Sequence, residues 1–203
     1  MKNHFYTARA NPFSVCYFTV LLFFGFLLST TSFAQKAQKV KFGLFTDVHV
    51  PTMHDAKERL TAFMDSMKTA KPDFIIELGD FGTPAPKYAY GFDIWKSYAG
   101  PKYQVIGNHE MDGGFSLPQA LAYRGMSSSY YSFQQNGFYF IVLDGNDKKT
   151  PDVKGYQQYI GEKQLAWLKD ELAKAKTPIV IFSHQGLGKD GVDNSADIRA
   201  MLE

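Results

Sequence analysis

Three successive stretches decide the fold: KVKFGLFTD at 39–47, AKERLTAFMDSMKT at 56–69 and DFIIELGD at 73–80. The outer two are short apolar runs of the kind found in buried strands, and the middle one carries Leu60, Phe63 and Met67 at helical spacing. Strand, amphipathic helix, strand is a βαβ unit, which predicts an α/β fold with parallel strands covered by helices. The pattern continues outward. KYQVIGNH at 102–109 and PIVIFSH at 178–184 read as further buried strands, and Leu165, Leu168 and Leu172 mark a second amphipathic helix over 162–175. The run at 130–144, YYSFQQNGFYFIVLD, differs from these. Its Asn136-Gly137 pair supplies two positions that tolerate positive φ and predicts a hairpin, so the fold should contain a mixed sheet or two sheets.

The polar residues at the ends of these runs carry the chemistry. Asp47 and His49 close the first run, Asp80 the second, Asn108 and His109 the third, and His184 the last. Parallel strands end on one edge of a sheet, where ligands bind, so the topology predicts that these six side chains meet. Asp47 and His49 stand one residue apart, and in an extended segment both point to the same side. A mixture of carboxylate, amide and imidazole groups suits manganese, iron, zinc or nickel better than calcium or copper(I). Taken singly, Asp47, Asp80 and Asn108 would each read as turn or helix-cap residues. Their shared edge shifts that reading toward metal ligation. His54 and Asp55 read as helix-start residues, Asp144 as a turn residue, and Lys87, Tyr88 and Tyr90 as a solvated face. Glu110 orients either His109 or its loop, and residues 110–129 read as a substrate loop that names no ligand.

The chain has 203 residues, 22 Lys+Arg against 20 Asp+Glu, 45% hydrophobic residues and one cysteine, which excludes a disordered, collagen-like or disulfide-stapled chain. Residues 1–34 hold Lys2 and Arg9, an apolar run over 13–28 and small residues at Ser32 and Ala34. This is the order of a secretory signal peptide, cut after Ala34, with one domain over 35–203 and a periplasmic or secreted location. The apolar run is shorter than the ~20 residues of a spanning helix, and an uncleaved anchor stays open as the alternative. Without the first 34 residues the chain has 20 charges of each sign and no Lys/Arg cluster. That leaves no electrostatic footprint for nucleic acid or an anionic membrane. The one cysteine, Cys16, falls in the exported segment, so the mature domain has no disulfide, thiolate nucleophile or Cys-based zinc site.

Taken together, D-V-H at 47–49, G-D at 79–80, G-N-H-E at 107–110 and S-H at 183–184 resemble the calcineurin-like metallophosphoesterases in order and in setting. The resemblance runs from about residue 39 to the end of the chain. It implies that family's α/β/β/α sandwich and two divalent metal ions, with Asp47 and His49 on the first ion, Asn108 and His184 on the second, and Asp80 bridging. It also implies that two cations ~3.5–4 Å apart ionise a bridging water to a hydroxide that attacks phosphorus in line. His109 would then protonate the leaving oxygen or stabilise the transition-state charge, and the implied substrate is a small phosphoric ester. Two features depart from the family pattern. Thr83 stands where several branches carry a carboxylate or Asn, and purple acid phosphatases a tyrosine ligand, which leaves the group that orients His109 unassigned. No G-H-x-H motif follows His184, so the chain is expected to be the N-terminal part of such a domain. An inactive fragment or a non-enzymatic interaction module is the alternative to a hydrolase.

Overall fold

Alternating side chains along the strands sort the apolar residues into three separate clusters, and these clusters define the layers. The computed structural model describes residues 38–50, 52–150 and 154–203. The signal-peptide reading of 1–34, its cleavage site and Cys16 lie outside the described residues. Strands β1 (Phe42–Phe45), β2 (Phe74–Glu77) and β3 (Lys102–Gln104) form a parallel sheet in that order, with Phe42 opposite Phe74 and Ile75 opposite Lys102. Strands β4 (Tyr131–Gln135), β5 (Phe138–Leu143) and β6 (Ile179–Ser183) form a second sheet, with β4 antiparallel and β6 parallel to β5. Asn136 and Gly137 turn the expected hairpin at φ 48° and 79°. The helices are α1 (Ala56–Ala70), α2 (Ala89–Lys96), α3 (Leu117–Arg124), α4 (Glu162–Lys174) and α5 (Ser195–Leu202).

The strand alternation is clearest on β2 and β5. Ile75 packs with Leu60, Met64 and Trp95 from α1 and α2, whereas its neighbours Phe74 and Ile76 face Phe140, Val142 and Phe182 of the other sheet. On β5, Ile141 and Leu143 turn the opposite way, onto Leu168 of α4 and Ile198 of α5. The order is helices, sheet, sheet, helices. The layer between the sheets is built from phenylalanine: Phe140 lies 5.1 Å from Phe74, 4.8 Å from Phe133 and 5.8 Å from Phe182, ring centre to ring centre. Such pairs add about 0.5–1.5 kcal/mol each beyond the area they bury.

Two expectations need correction. The strand ends were expected to share one parallel edge, but β6, which leads to His184, belongs to the second sheet. Residues 110–129, read as a loop, contain α3, which begins with a reciprocal capping box between Ser116 and Gln119 and ends at Gly125. No helix among the described residues is long and apolar enough to cross a membrane.

Candidate metal centre

The segments that follow β1 and β2 are tied together by backbone hydrogen bonds. Asp47 N donates to Gly79 O (3.1 Å), His49 N to Asp80 O (2.9 Å) and Val50 N to Phe81 O (2.8 Å). Asp47, His49 and Asp80 all sit in the left-handed region, at φ 55°, 48° and 57°. The chain is therefore not extended at Asp47 and His49, and strand alternation does not account for their pairing. The left-handed turns do: they bring His49 Nε2 to 3.6 Å from Asp47 Oδ1. Non-glycine residues held at positive φ are uncommon and collect where function over-determines the backbone.

Asp80 is the hub. Its side chain is only 5% exposed, and its Oδ2 has three imidazole Nε2 atoms around it: His184 at 3.3 Å, His49 at 3.7 Å and His109 at 3.8 Å. Its other oxygen, Oδ1, accepts the backbone N–H of His109 at 2.9 Å. Asp47, Asp80 and His184 can each place one ligand atom within 4.8 Å of the others. Two donors about 2.1 Å from one ion at a tetrahedral angle are about 3.4 Å apart, so this donor set fits divalent metal. His184 Nδ1 donates to Leu78 O at 2.9 Å, which fixes the tautomer and leaves Nε2 facing Asp80. Burial opposes the charge on His184, but Asp80 overcomes it and raises its pKa to about 9. Burial likewise opposes ionisation of Asp80, and the His184 ring and the His109 N–H hold its pKa below the usual value. Asn108 makes no capping bond to the turn after it and lines a cavity of about 660 Å³ with Asp112, Asn146 and Tyr156.

The sequence profile of the calcineurin-like phosphoesterases matches residues 40–202. The chain belongs to that family. No curated protein matches it in sequence. Among solved structures, a dimetal phosphatase from Danio rerio is similar at 17% identity and a TM-score of 0.68, over 81% of this chain and 77% of that one. The protein TT1561 of Thermus thermophilus is similar at 17% identity and a TM-score of 0.51, over 80% and 77%. At that identity the likeness shows the fold.

What holds Asp80 in this phosphoesterase is a buried ionic triad that sequence reasoning left largely unread. Glu110, with no exposure, accepts backbone N–H groups from Asp80 (3.2 Å), Phe81 (2.7 Å) and Gly107 (2.8 Å). Glu110 thus orients the loops and not His109. Arg124 Nη1 donates to Glu110 at 2.6 Å and its Nη2 pairs with Glu77, whose own carboxylate accepts Gly79 N at 2.5 Å. The guanidinium also lies 5.7 Å and 5.9 Å from the ring centres of Phe81 and Phe92, a stacking that lysine would not reproduce. Gly107 passes tightly against Asp80: a Cβ there would run into Asp80 Oδ1 and Asp80 N.

A cavity of about 620 Å³ opens beside His49 and His109, with Val50, Met53, Tyr88 and Phe115 in its wall. Lys87 and Tyr88 belong to this wall, so the reading of them as a plain solvated face is incomplete. His54 is not among its lining residues, and Asp55 precedes α1 without capping it and pairs instead with Arg59 at 3.1 Å. Asp144 anchors a turn as expected, accepting Asn146 N at 3.0 Å and Asn146 Nδ2 at 2.7 Å. Two residues beside His109 had no sequence signal of their own: Asp112, whose Oδ2 lies 2.7 Å from His109 Nδ1, and Tyr156, whose hydroxyl donates to Asp112 Oδ1 at 2.5 Å.

Proposed function

We propose that this calcineurin-like phosphoesterase hydrolyses small phosphoric esters at a binuclear centre held by Asp47, His49, Asp80, Asn108 and His184, with His109 as general acid. The observation that carries the reading is Asp80 Oδ2 with three imidazole nitrogens within 3.8 Å, a donor set with no evident packing role. Two divalent ions bound there supply Lewis acidity to the phosphoryl oxygens and lower the pKa of water. The residues do the rest. Asp80 is pinned through Oδ1 by the His109 N–H, which keeps Oδ2 turned toward the imidazoles. In this assignment Asp47 and His49, 3.6 Å apart, would share one ion and His184 and Asn108 the other, and the Leu78 carbonyl holds His184 Nδ1 so that Nε2 faces Asp80. His109 presents Nε2 toward the same point, where it gives a proton to the departing oxygen. The apolar wall of the neighbouring cavity receives the organic part of the ester. That the Danio rerio protein sharing this fold is a dimetal phosphatase agrees with the proposal.

The test uses the full chain, with bound metal measured by atomic emission and turnover of 4-nitrophenyl phosphate and bis(4-nitrophenyl) phosphate followed with manganese added. Metal-dependent turnover that falls at least about 100-fold in Asp80→Asn is expected. Turnover that survives Asp80→Asn, or a metal-loaded wild type inert on both ester classes, refutes the reading. Export through residues 1–34 is part of the same proposal and rests on the sequence. Recovery of the chain uncut in the cytoplasmic fraction would overturn that part alone.

A further inference from the structure

We infer that Asp112, braced by Tyr156, is the positioning residue for His109, and that it holds the ring for proton delivery to the leaving oxygen. The inference rests on the hydrolase reading above and adds to it a residue pair that the family motifs do not supply, because Thr83 occupies the position from which a partner for His109 was expected. His109 Nδ1 donates to Asp112 Oδ2 at 2.7 Å, one 3-10 turn along the chain. Glu110, the adjacent carboxylate, is committed to Arg124 and three backbone N–H groups, and Asp80 faces Nε2, which leaves Asp112 as the carboxylate on Nδ1. Tyr156 closes the arrangement from a distant part of the chain. Its hydroxyl donates to Asp112 Oδ1 at 2.5 Å and lies 3.1 Å from His109 Nδ1, and its ring packs 4.8 Å from the imidazole.

The arrangement fixes two things at once. With Nδ1–H given to Asp112, the ring cannot rotate about χ2 without breaking that bond, so Nε2 stays directed at the space beside Asp80 Oδ2, 3.8 Å away. With Nδ1 taken up by Asp112, Nε2 is also the ring nitrogen left to face the leaving oxygen. In the step itself the oxygen of a water-derived hydroxide forms a bond to phosphorus as the P–O bond to the leaving group breaks, the electron pair of the broken bond goes to the leaving oxygen, and that oxygen takes the Nε2 proton. Asp112 accepts the Nδ1–H throughout and is not itself protonated. Its side chain is 41% exposed, so replacing it leaves the core untouched.

Two measurements on the full chain decide the matter. In steady-state kinetics, 4-nitrophenolate leaves without needing a proton whereas phenolate needs one. Asp112→Ala should therefore lower kcat for phenyl phosphate about 10- to 100-fold with KM little changed, and lower kcat for 4-nitrophenyl phosphate far less. His109→Ala and His109→Ala/Asp112→Ala should be equally impaired, because the two residues act as one unit. Equal losses on both esters, or additive losses in the double variant, overturn the inference. The second measurement does not depend on turnover: the 15N shifts of the neutral His109 ring should show the proton on Nδ1 in the wild type, a preference that is lost in Asp112→Ala and weakened in Tyr156→Phe. Its persistence in Asp112→Ala overturns the inference even if the enzyme is active. A wild type inert on both esters that nonetheless shows this signature supports the pairing while failing the hydrolase reading.

Discussion

Replacing Arg124 by methionine asks whether the loop beneath Asp80 is held by buried charge. The guanidinium stands between Glu77 and Glu110, whose side chains are 1% and 0% exposed, and both oxygens of Glu110 also hold the N–H groups of Asp80, Phe81 and Gly107. Removing one partner of a buried ion pair costs about 3–5 kcal/mol, because the remaining charge cannot reach water. Here two carboxylates would be stranded, and the loss should carry a definite pH dependence. Burial, opposed by Arg124 and reinforced by Glu110, already lifts Glu77 from 4.5 to about 7. A carboxylate raised in the folded state contributes most below its unfolded pKa, and that contribution is lost as pH rises from 4.5 through about 7. Without Arg124 the Glu77 carboxyl rises further, so its protonation relieves the variant in acid and fails to do so in base. Urea unfolding of metal-free wild type and Arg124→Met at pH 5 and pH 8 should show a small deficit at the first and about 3–5 kcal/mol at the second. A deficit below about 1 kcal/mol at pH 8, or the same deficit at both, would refute the electrostatic account.

Other outcomes follow from the same geometry. Chelation of metal from the loaded protein should lower Tm, the stabilisation removed being about 4 kcal/mol when free metal stands a thousandfold above Kd; an unchanged melt with EDTA would mean that no ion links the Asp80 cluster. Gly107→Ala should abolish metal uptake while leaving the aromatic layer between the sheets intact, since the added methyl meets Asp80 and nothing in that layer. Bound metal in that variant at the wild-type ratio contradicts the close approach. Glu171 is opposed by burial, but Lys174, Ser132 and Tyr139 hold its pKa at about 2. Its stabilisation is present above 4.5 and lost as pH falls through about 2, so Glu171→Gln should melt below wild type at pH 6 and converge with it near pH 2. A gap that persists at the acid end counts against it.

The sequence shows the βαβ unit, the hairpin and the six polar residues because these are local: apolar periodicity, an Asn-Gly pair, and polar groups at the ends of apolar runs. It misplaces where the strands end. The run at 73–80 reads as strand to its end, yet the regular strand closes at Glu77, and the hydrogen bonds that continue to Phe81 join segments whose backbone is left-handed at Asp47, His49 and Asp80, which hydrophobicity does not report. The same limit produced the wrong reason for a correct pairing of Asp47 with His49, which meet through two left-handed residues and not through strand alternation. Helix α3 was legible and was missed: Ser116, Pro118, Gln119 and Gly125 are start and stop signals that can be read without coordinates. Tyr156 was not legible. It reaches Asp112 from 44 positions away, and no periodicity links one tyrosine to one aspartate over that distance. Glu110 lay between, since its neighbour His109 suggested one role and only the buried N–H groups around it show the other.

The left-handed backbone at Asp47, His49 and Asp80 makes the site a source of local weakness as well as of chemistry. Conformations of this kind cost roughly 1–3 kcal/mol each and persist only where neighbouring contacts enforce them. The three lie in two segments joined to each other by only a few backbone hydrogen bonds, so strain accumulates where the ladder is thinnest. Glycine at any of these positions would relax the turn and delete a donor, which sets thermal endurance against metal ligation at the same residue. Until an ion ties the donors together, the amides of 47–50 and 79–81 should be the first in their sheet to exchange with solvent, and the edge that gathers the candidate ligands is then also the edge from which the molecule begins to open.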